Sequence, residues 1–144
     1  MLRSLLLLVL AAPLAFAAPV PKELKRADER AILGTWEVTA FSGDGAVIVR
    51  EKNTLRWRFD TEGRAATVNP TETAANFKVL PKLPSAGWFD WNTEGYLYRG
   101  LYELGGDALK IAISVDDDLT RPTKLAPGPN VRYYEFKRVI AEGK

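Results

Sequence analysis

Apolar and polar residues alternate along most of the chain after Leu33, and this period of two is typical of β-strands with one buried face. The clearest segment is 55–59, in which Leu55, Trp57 and Phe59 alternate with two arginines. The same pattern predicts eight strands, at about 36–40, 55–59, 65–68, 75–79, 87–91, 96–104, 109–113 and 131–139. Turn signals separate them, such as the Gly-Gly-Asp run at 105–107.

Eight short strands joined mostly by short turns predict an all-β protein, with an antiparallel up-and-down eight-stranded barrel as its architecture. Closure of the barrel also removes exposed strand edges, which a chain without disulfides has to manage. We place the barrel domain at 33–140 and a C-terminal tail at 141–144. The polar segment 18–32 predicts a linker or one short helical turn before the barrel.

Residues 1–17 have the pattern of a signal peptide. Arg3 supplies the positive start, an apolar run follows at 5–10, and Ala15-Phe16-Ala17 is a small-x-small cleavage site. The apolar run is too short to span a membrane, for which about 20 residues are needed. We expect export to the periplasm or the exterior after cleavage before Ala18, with no transmembrane segment remaining; the alternative is an uncleaved N-terminal anchor.

The composition argues against most catalytic chemistry. The chain has no histidine and no cysteine, which removes the usual general base, the Ser-His-Asp and Cys-His systems and most zinc sites. We therefore predict that it is not an enzyme and that it has no cofactor and no metal. A net charge of +2 argues against a nucleic-acid partner. We expect a monomer.

Gly34 and Trp36 open the first strand, where a glycine lets the backbone turn tightly and an inward tryptophan plugs the barrel. This Gly-x-Trp opening resembles the first-strand motif of the lipocalin-like families. In those families a basic residue at the last strand packs across the tryptophan ring. The resemblance implies that role for Arg138, which alternation places on the same face as Tyr134 and Phe136. We therefore assign Gly34, Trp36 and Arg138 to barrel closure.

A closer resemblance involves three blocks in order: 33–38, 100–111, and Arg121-Pro122-Thr123 combined with 135–139. Over about residues 31–140 the chain resembles a small exported lipocalin-like domain family of planctomycete-type bacteria. The resemblance implies a lipocalin-like barrel and export, and it implies no activity. The segment 88–91 departs from that family by its bulky aromatic residues, which argues against a large open cavity.

Large aromatic residues on the inward faces are candidates for the lining of an apolar ligand pocket. Barrels of eight strands either fill with side chains or hold one small ligand, and both alternatives stay open here. We expect any site at the open end of the barrel, near Trp88, Trp91 and Tyr102, with the Tyr102 and Tyr134 hydroxyls as polar handles. The tentative ligand-binding residues are Trp57, Phe59, Phe77, Phe89, Trp91, Tyr102 and Tyr134.

Three further groups of residues have a purely structural interpretation as well as a functional one. The aspartates at 116–118 lack the ligand spacing of a calcium loop, so we expect a solvated turn. The basic residues at 50, 52, 56 and 58 are expected to form an outer strand face rather than an anion-binding surface. Asp90 and Glu103 are carboxylates near aromatics, but nothing in the sequence brings them together, and we do not assign them as catalytic.

The function predicted from these observations is an exported binding or interaction module. Its partner is expected to be a small hydrophobic ligand or a protein of the cell envelope. The alternative is a secreted or envelope inhibitor, or an interaction barrel, with a filled core that acts through its loops. In that alternative an exposed Trp88 would be a natural anchor for a partner.

Overall fold

The described part of the chain forms one helix and nine strands in the computed structural model, which describes residues 22–43, 48–49, 55–69, 73–82, 85–115 and 120–140. The predicted signal peptide, the tail at 141–144, Arg50, Lys52 and the aspartates at 116–118 lie outside these ranges. The elements are α1 (Lys22–Ala31), β1 (Gly34–Ser42), β2 (Ile48–Val49), β3 (Arg56–Phe59), β4 (Arg64–Asn69), β5 (Thr73–Lys82), β6 (Ser85–Thr93), β7 (Tyr96–Gly105), β8 (Ala108–Ser114) and β9 (Val131–Arg138).

The strands close into an antiparallel up-and-down barrel of eight strands, which confirms the predicted fold class. From β3 to β9 each strand pairs with the next one along the chain, and β9 pairs back with β1. The short β2 pairs with β1 at Ala40 and Phe41, while β3 pairs with β1 at 34–37. Since β2 follows β3 along the same edge of β1, the two share one barrel position, and the barrel has eight positions.

The barrel has a closed end and an open end. The closed end carries α1, the start of β1, the end of β9 and the turns at 60–63 and 106–107. The open end carries the two-residue turn between β6 and β7 and the long connection from β8 to β9. Both residues of the first of these, Glu94 and Gly95, have positive φ, 50° and 84°, as a type I′ hairpin requires.

A single apolar core fills the space between the two ends. Side chains from all eight barrel strands contribute to it, with Trp36, Phe59, Phe89, Leu109 and Ile111 among the most buried. The strands deliver these side chains because alternate residues of a strand point to the same face. The core therefore follows directly from the alternation in the sequence.

The helix α1 is ten residues long, whereas the sequence predicted a linker or one helical turn. Its lysine, glutamate, arginine and alanine residues are good helix formers, but few apolar positions reveal a helical period. Contacts with the barrel hold it in place. Asp28 accepts a hydrogen bond from the Tyr102 hydroxyl, and Ile32, just after the helix, is fully buried.

Tyr102 occupies a space that Gly87 leaves open. A Cβ atom at position 87 would lie 2.2 Å from the Tyr102 ring, so a larger residue there would displace the tyrosine. Burial raises the pKa of the Tyr102 hydroxyl above its ordinary value, and the hydrogen bond to Asp28 raises it further. The tyrosine is therefore a neutral donor to the helix over the whole ordinary pH range.

Trp36 and Arg138 shut the closed end of the barrel. They pair across β1 and β9, and the Arg138 Cζ atom lies 4.1 Å from the centroid of the Trp36 ring. Trp36 is fully buried, and its indole N–H donates to the Ile32 carbonyl at 2.7 Å. Arg138 donates to the carbonyls of Ala31 and, at 2.8 Å, Leu33. A cation placed there satisfies carbonyls at the end of α1 and complements the helix dipole.

Gly34 is required by both conformation and space at this junction. Its φ of 116° lies in a region that residues with a side chain rarely adopt. A Cβ atom there would also come within 3.3 Å of the Arg138 Nη1 atom. The glycine thus allows the chain to turn from α1 into β1 directly beside the guanidinium.

Replacement of Trp36 by alanine is expected to cost about 3–5 kcal/mol of unfolding free energy, as other large core truncations do. The change removes a fully buried indole together with its hydrogen bond and its contact with Arg138. Urea unfolding measures the loss, with Tyr96→Ala as control because Tyr96 is 63% exposed. A loss under about 1 kcal/mol for Trp36→Ala would contradict the closure role.

Replacement of Tyr102 by phenylalanine is expected to cost about 1–3 kcal/mol at pH 7, because it leaves Asp28 without its donor. Because the pKa of Tyr102 is raised in the folded protein, the neutral hydroxyl contributes its full stabilisation at pH values below the ordinary tyrosine pKa of about 10. As pH rises beyond that value the unfolded tyrosine ionises, so the wild-type protein loses this advantage over Tyr102→Phe. Urea unfolding between pH 7 and 11 tests this, with Tyr96→Phe as control; equal stability at pH 7 would contradict it.

Candidate functional site

Aromatic rings fill most of the barrel interior. Trp57 lies at the centre of this packing, with ring centroids 4.7 Å from Trp91, 4.9 Å from Tyr134 and 5.2 Å from Phe136. Towards the closed end the packing continues from Phe59, whose ring centroid lies 4.9 Å from that of Phe77. The interior therefore has no room for a long ligand of the kind that a hollow barrel holds.

The predicted ligand-binding residues separate into three groups: two core residues, two residues at the closed end and three residues at the open end. Phe59 and Phe89 are fully buried core residues. Phe77 lines a surface groove between α1, the turn at 60–63 and β5 at the closed end. Tyr102 was expected near the open end, but its hydroxyl bonds to Asp28 of α1, because its strand position places it at the closed end. The third group, which lines a recess at the open end, consists of Trp57, Trp91 and Tyr134.

This open-end recess has a volume of about 230 Å³. This volume is smaller than the roughly 300 Å³ at the lower end of the range for pockets that hold drug-sized ligands. It is larger than the roughly 150 Å³ of an apolar cavity that binds benzene. Its most buried members are aromatic or aliphatic, and its more exposed members are largely polar. The lining consists of Trp57, Thr67, Trp91, Thr93, Tyr98, Ile113, Val115, Arg132 and Tyr134.

An aromatic rim extends from the recess to solvent. Tyr98 is half-buried in the lining, and its ring lies 6.4 Å from that of Tyr96 in a stacked arrangement. Tyr96 follows the turn between β6 and β7 and is 63% exposed. The exposure of large aromatic rings to water is unfavourable. Their position beside a recess is therefore typical of a surface that binds a ligand or a partner.

Strand alternation explains how these residues meet. On β9, Arg132 shares the inner face with Tyr134 and Phe136, and it pairs in register with Ile113 of β8. Trp57 and Trp91 project from β3 and β6 in the same way. Arg132 was not among the predicted site residues, although extending the inward row of β9 by two residues would have found it.

The connection from β8 to β9 is fastened to the outer face of the barrel by Arg121. Its guanidinium forms a salt bridge with Asp90 at 2.7 Å and donates to the backbone carbonyls of Phe89 and Gly100. It also lies 4.7 Å from the centroid of the Trp88 ring. Trp88, 38% exposed, is therefore on the outer surface beneath this connection, and it does not line the recess at the open end.

The two carboxylates considered for catalysis do not form a pair. Asp90 is bound by Arg121 on the outer face, while Glu103 is an exposed residue of β7 that pairs in register with Lys110. Among the described residues, no group of three or more His, Cys, Asp or Glu side chains is arranged to hold a metal ion. Arg58 of the predicted basic stripe is exposed, as an outer-face residue should be.

The fold and the recess define a small closed β-barrel with a largely filled interior and a recess at its open end. Comparison of the chain with protein-family models, with curated proteins and with solved structures found no match. No helix within the described ranges has the length and apolar character needed to cross a membrane.

Replacement of Arg121 by alanine is expected to release the β8–β9 connection from the barrel wall. Hydrogen bonds to a charged group contribute about 1.5–3 kcal/mol, so local opening should rise roughly ten- to a hundredfold. Faster tryptic cleavage after the exposed Lys124 measures the release, with Arg99→Ala as control because Arg99 is an exposed arginine opposite Asp90. An unchanged cleavage rate would contradict the anchoring role.

Proposed function

We propose that this protein is an exported binding barrel that takes one small apolar ligand in the recess at its open end. The observation that carries the proposal is the recess itself, with Trp57, Trp91 and Tyr134 at its inner side. Pockets of this kind, apolar with a few polar groups, are the usual binding sites at the mouths of barrels. The signal-peptide pattern at 1–17 supports export.

The filled interior sets the size of the proposed ligand. A long acyl chain would need the space now taken by the ring packing from Trp57 to Phe59 and Phe77. A ligand of one or two rings needs only the 230 Å³ of the recess. We therefore propose a compact ligand rather than an extended lipid.

A binding role agrees with the composition better than an enzymatic one. The chain lacks histidine and cysteine, and Asp90 and Glu103 have separate surroundings. The resemblance to small exported lipocalin-like domains remains our prediction for the family. The closure of the barrel by Gly34, Trp36 and Arg138 supports that prediction.

A second candidate function is that of an interaction barrel that acts through its loops. The filled core and the partly exposed Trp88, next to the fastened β8–β9 connection, favour it. Such a protein would bind an envelope partner by its outer surface and would leave the recess empty. Titration with small ligands separates the two candidates.

Toluene is expected to bind the wild-type protein with a dissociation constant below about 1 mM and to change tryptophan emission, because Trp57 and Trp91 line the recess. A long-chain fatty acid is expected not to compete. Val115→Trp, which fills the recess at a half-buried lining position, should weaken toluene binding by about tenfold or more.

Val139→Trp is the matched control, since Val139 is also half-buried but follows β9 at the closed end. It should bind toluene as the wild type does. If no small aromatic compound binds below the millimolar range, the recess is not a binding site and the interaction barrel becomes the better candidate.

A further inference from the structure

Trp57, one of the residues that line the recess, carries a buried hydrogen-bond donor that has no acceptor. The indole N–H of Trp57 is buried and unpaired, and the residue as a whole is 4% exposed. Buried polar groups are nearly always paired, because an unpaired one loses its hydration without compensation. The other deeply buried tryptophan of the barrel, Trp36, follows that rule by donating to the Ile32 carbonyl.

A positive charge lies in the same recess. Arg132 lines it from β9, is exposed, and makes no hydrogen bond or salt bridge within the described part of the chain. Arg121 and Arg138, by contrast, are both engaged with carboxylates and carbonyls. The described residues that line the recess include no acidic side chain.

From the unpaired donor and the guanidinium together we propose that the ligand of the recess is a small aromatic carboxylate. This inference rests on the proposed binding function and names its ligand class. Carboxylate oxygens accept hydrogen bonds from an indole N–H and from a guanidinium, and the latter bonds are strengthened by charge. The ring of such a ligand would pack on the faces and edges of Trp57, Trp91 and Tyr134.

The size of the recess fits this class. An apolar cavity of about 150 Å³ holds benzene, and the recess of about 230 Å³ leaves space for one carboxylate group beside a ring. An aliphatic acid of the same length would pack less well against flat rings. The aromatic lining therefore selects the body of the ligand, while Trp57 and Arg132 select its head group.

The test compares three single-ring probes on the whole protein by calorimetric titration: benzoate, toluene and benzylammonium. Benzoate is expected to bind at least about tenfold more tightly than toluene, and benzylammonium more weakly than either. The advantage of benzoate should decrease as salt is raised, because Arg132 is exposed and its charge is screened.

Two substitutions separate the donors. Arg132→Gln is expected to weaken benzoate binding much more than toluene binding, and so to remove most of the preference for benzoate. Arg58→Gln is the matched control, because Arg58 is an exposed arginine on the outer face of β3. Trp57→Phe keeps an aromatic ring without the N–H, and it should weaken benzoate binding more than toluene binding.

A measurement on the wild-type protein keeps the test decisive if Trp57→Phe does not fold. The indole N–H resonance of Trp57 should shift on addition of benzoate, whereas that of Trp36, which is bonded to Ile32, should stay in place. Benzoate binding no tighter than that of toluene, or unchanged benzoate preference in Arg132→Gln, would overturn this inference and leave the apolar binding function standing. Failure of all three probes to bind would overturn both.

Discussion

The contact between Arg138 and Trp36 is the constraint on which the closed end of the barrel depends. One guanidinium stacks on the indole, donates to carbonyls at the end of α1 and just after it, and lies 3.5 Å from Asp107 in the β7–β8 turn. It thereby joins the first strand, the last strand, the helix and a hairpin turn. Few side chains other than arginine combine a flat cationic face with several donors in fixed directions, so lysine would be a poor substitute at this position.

The filled interior moves any ligand site to the opposite end. The inner row of β9 begins with Arg132 and ends with Arg138, with Tyr134 and Phe136 between them. The two arginines have the same strand face but different surroundings. Arg138 is bonded to the end of α1, whereas Arg132 is exposed and lines the recess together with Trp57, whose indole N–H is unpaired. Packing gives Arg138, at one end of this row, a structural role and leaves Arg132, at the other end, accessible to a ligand.

Alternation in the sequence was sufficient to predict the eight barrel strands, because each has one buried face. It did not predict α1, whose residues are mostly polar and whose contacts with the barrel include hydrogen bonds from Tyr102 and Arg138. It also ended one predicted strand at about residue 79, where β5 instead continues to Lys82 through a register shift between Leu80 and Lys82. The recess could be predicted only in part. Period two, extended along β9, reaches Arg132, but it does not tell at which end of the barrel Tyr102 lies.

Closure of the barrel also determines when the chain can become a folded protein. The hydrogen bond from Arg138 to the Leu33 carbonyl joins residues 105 apart, whereas each hairpin joins neighbouring segments. Such long-range contacts form slowly, because the conformational entropy of closing the loop is lost before the contacts contribute any stabilisation. Until β9 arrives, β1 exposes an unpaired edge along 36–42, which is a template for pairing with other chains. A nascent or translocating chain is therefore most prone to aggregation in the interval before its last strand docks.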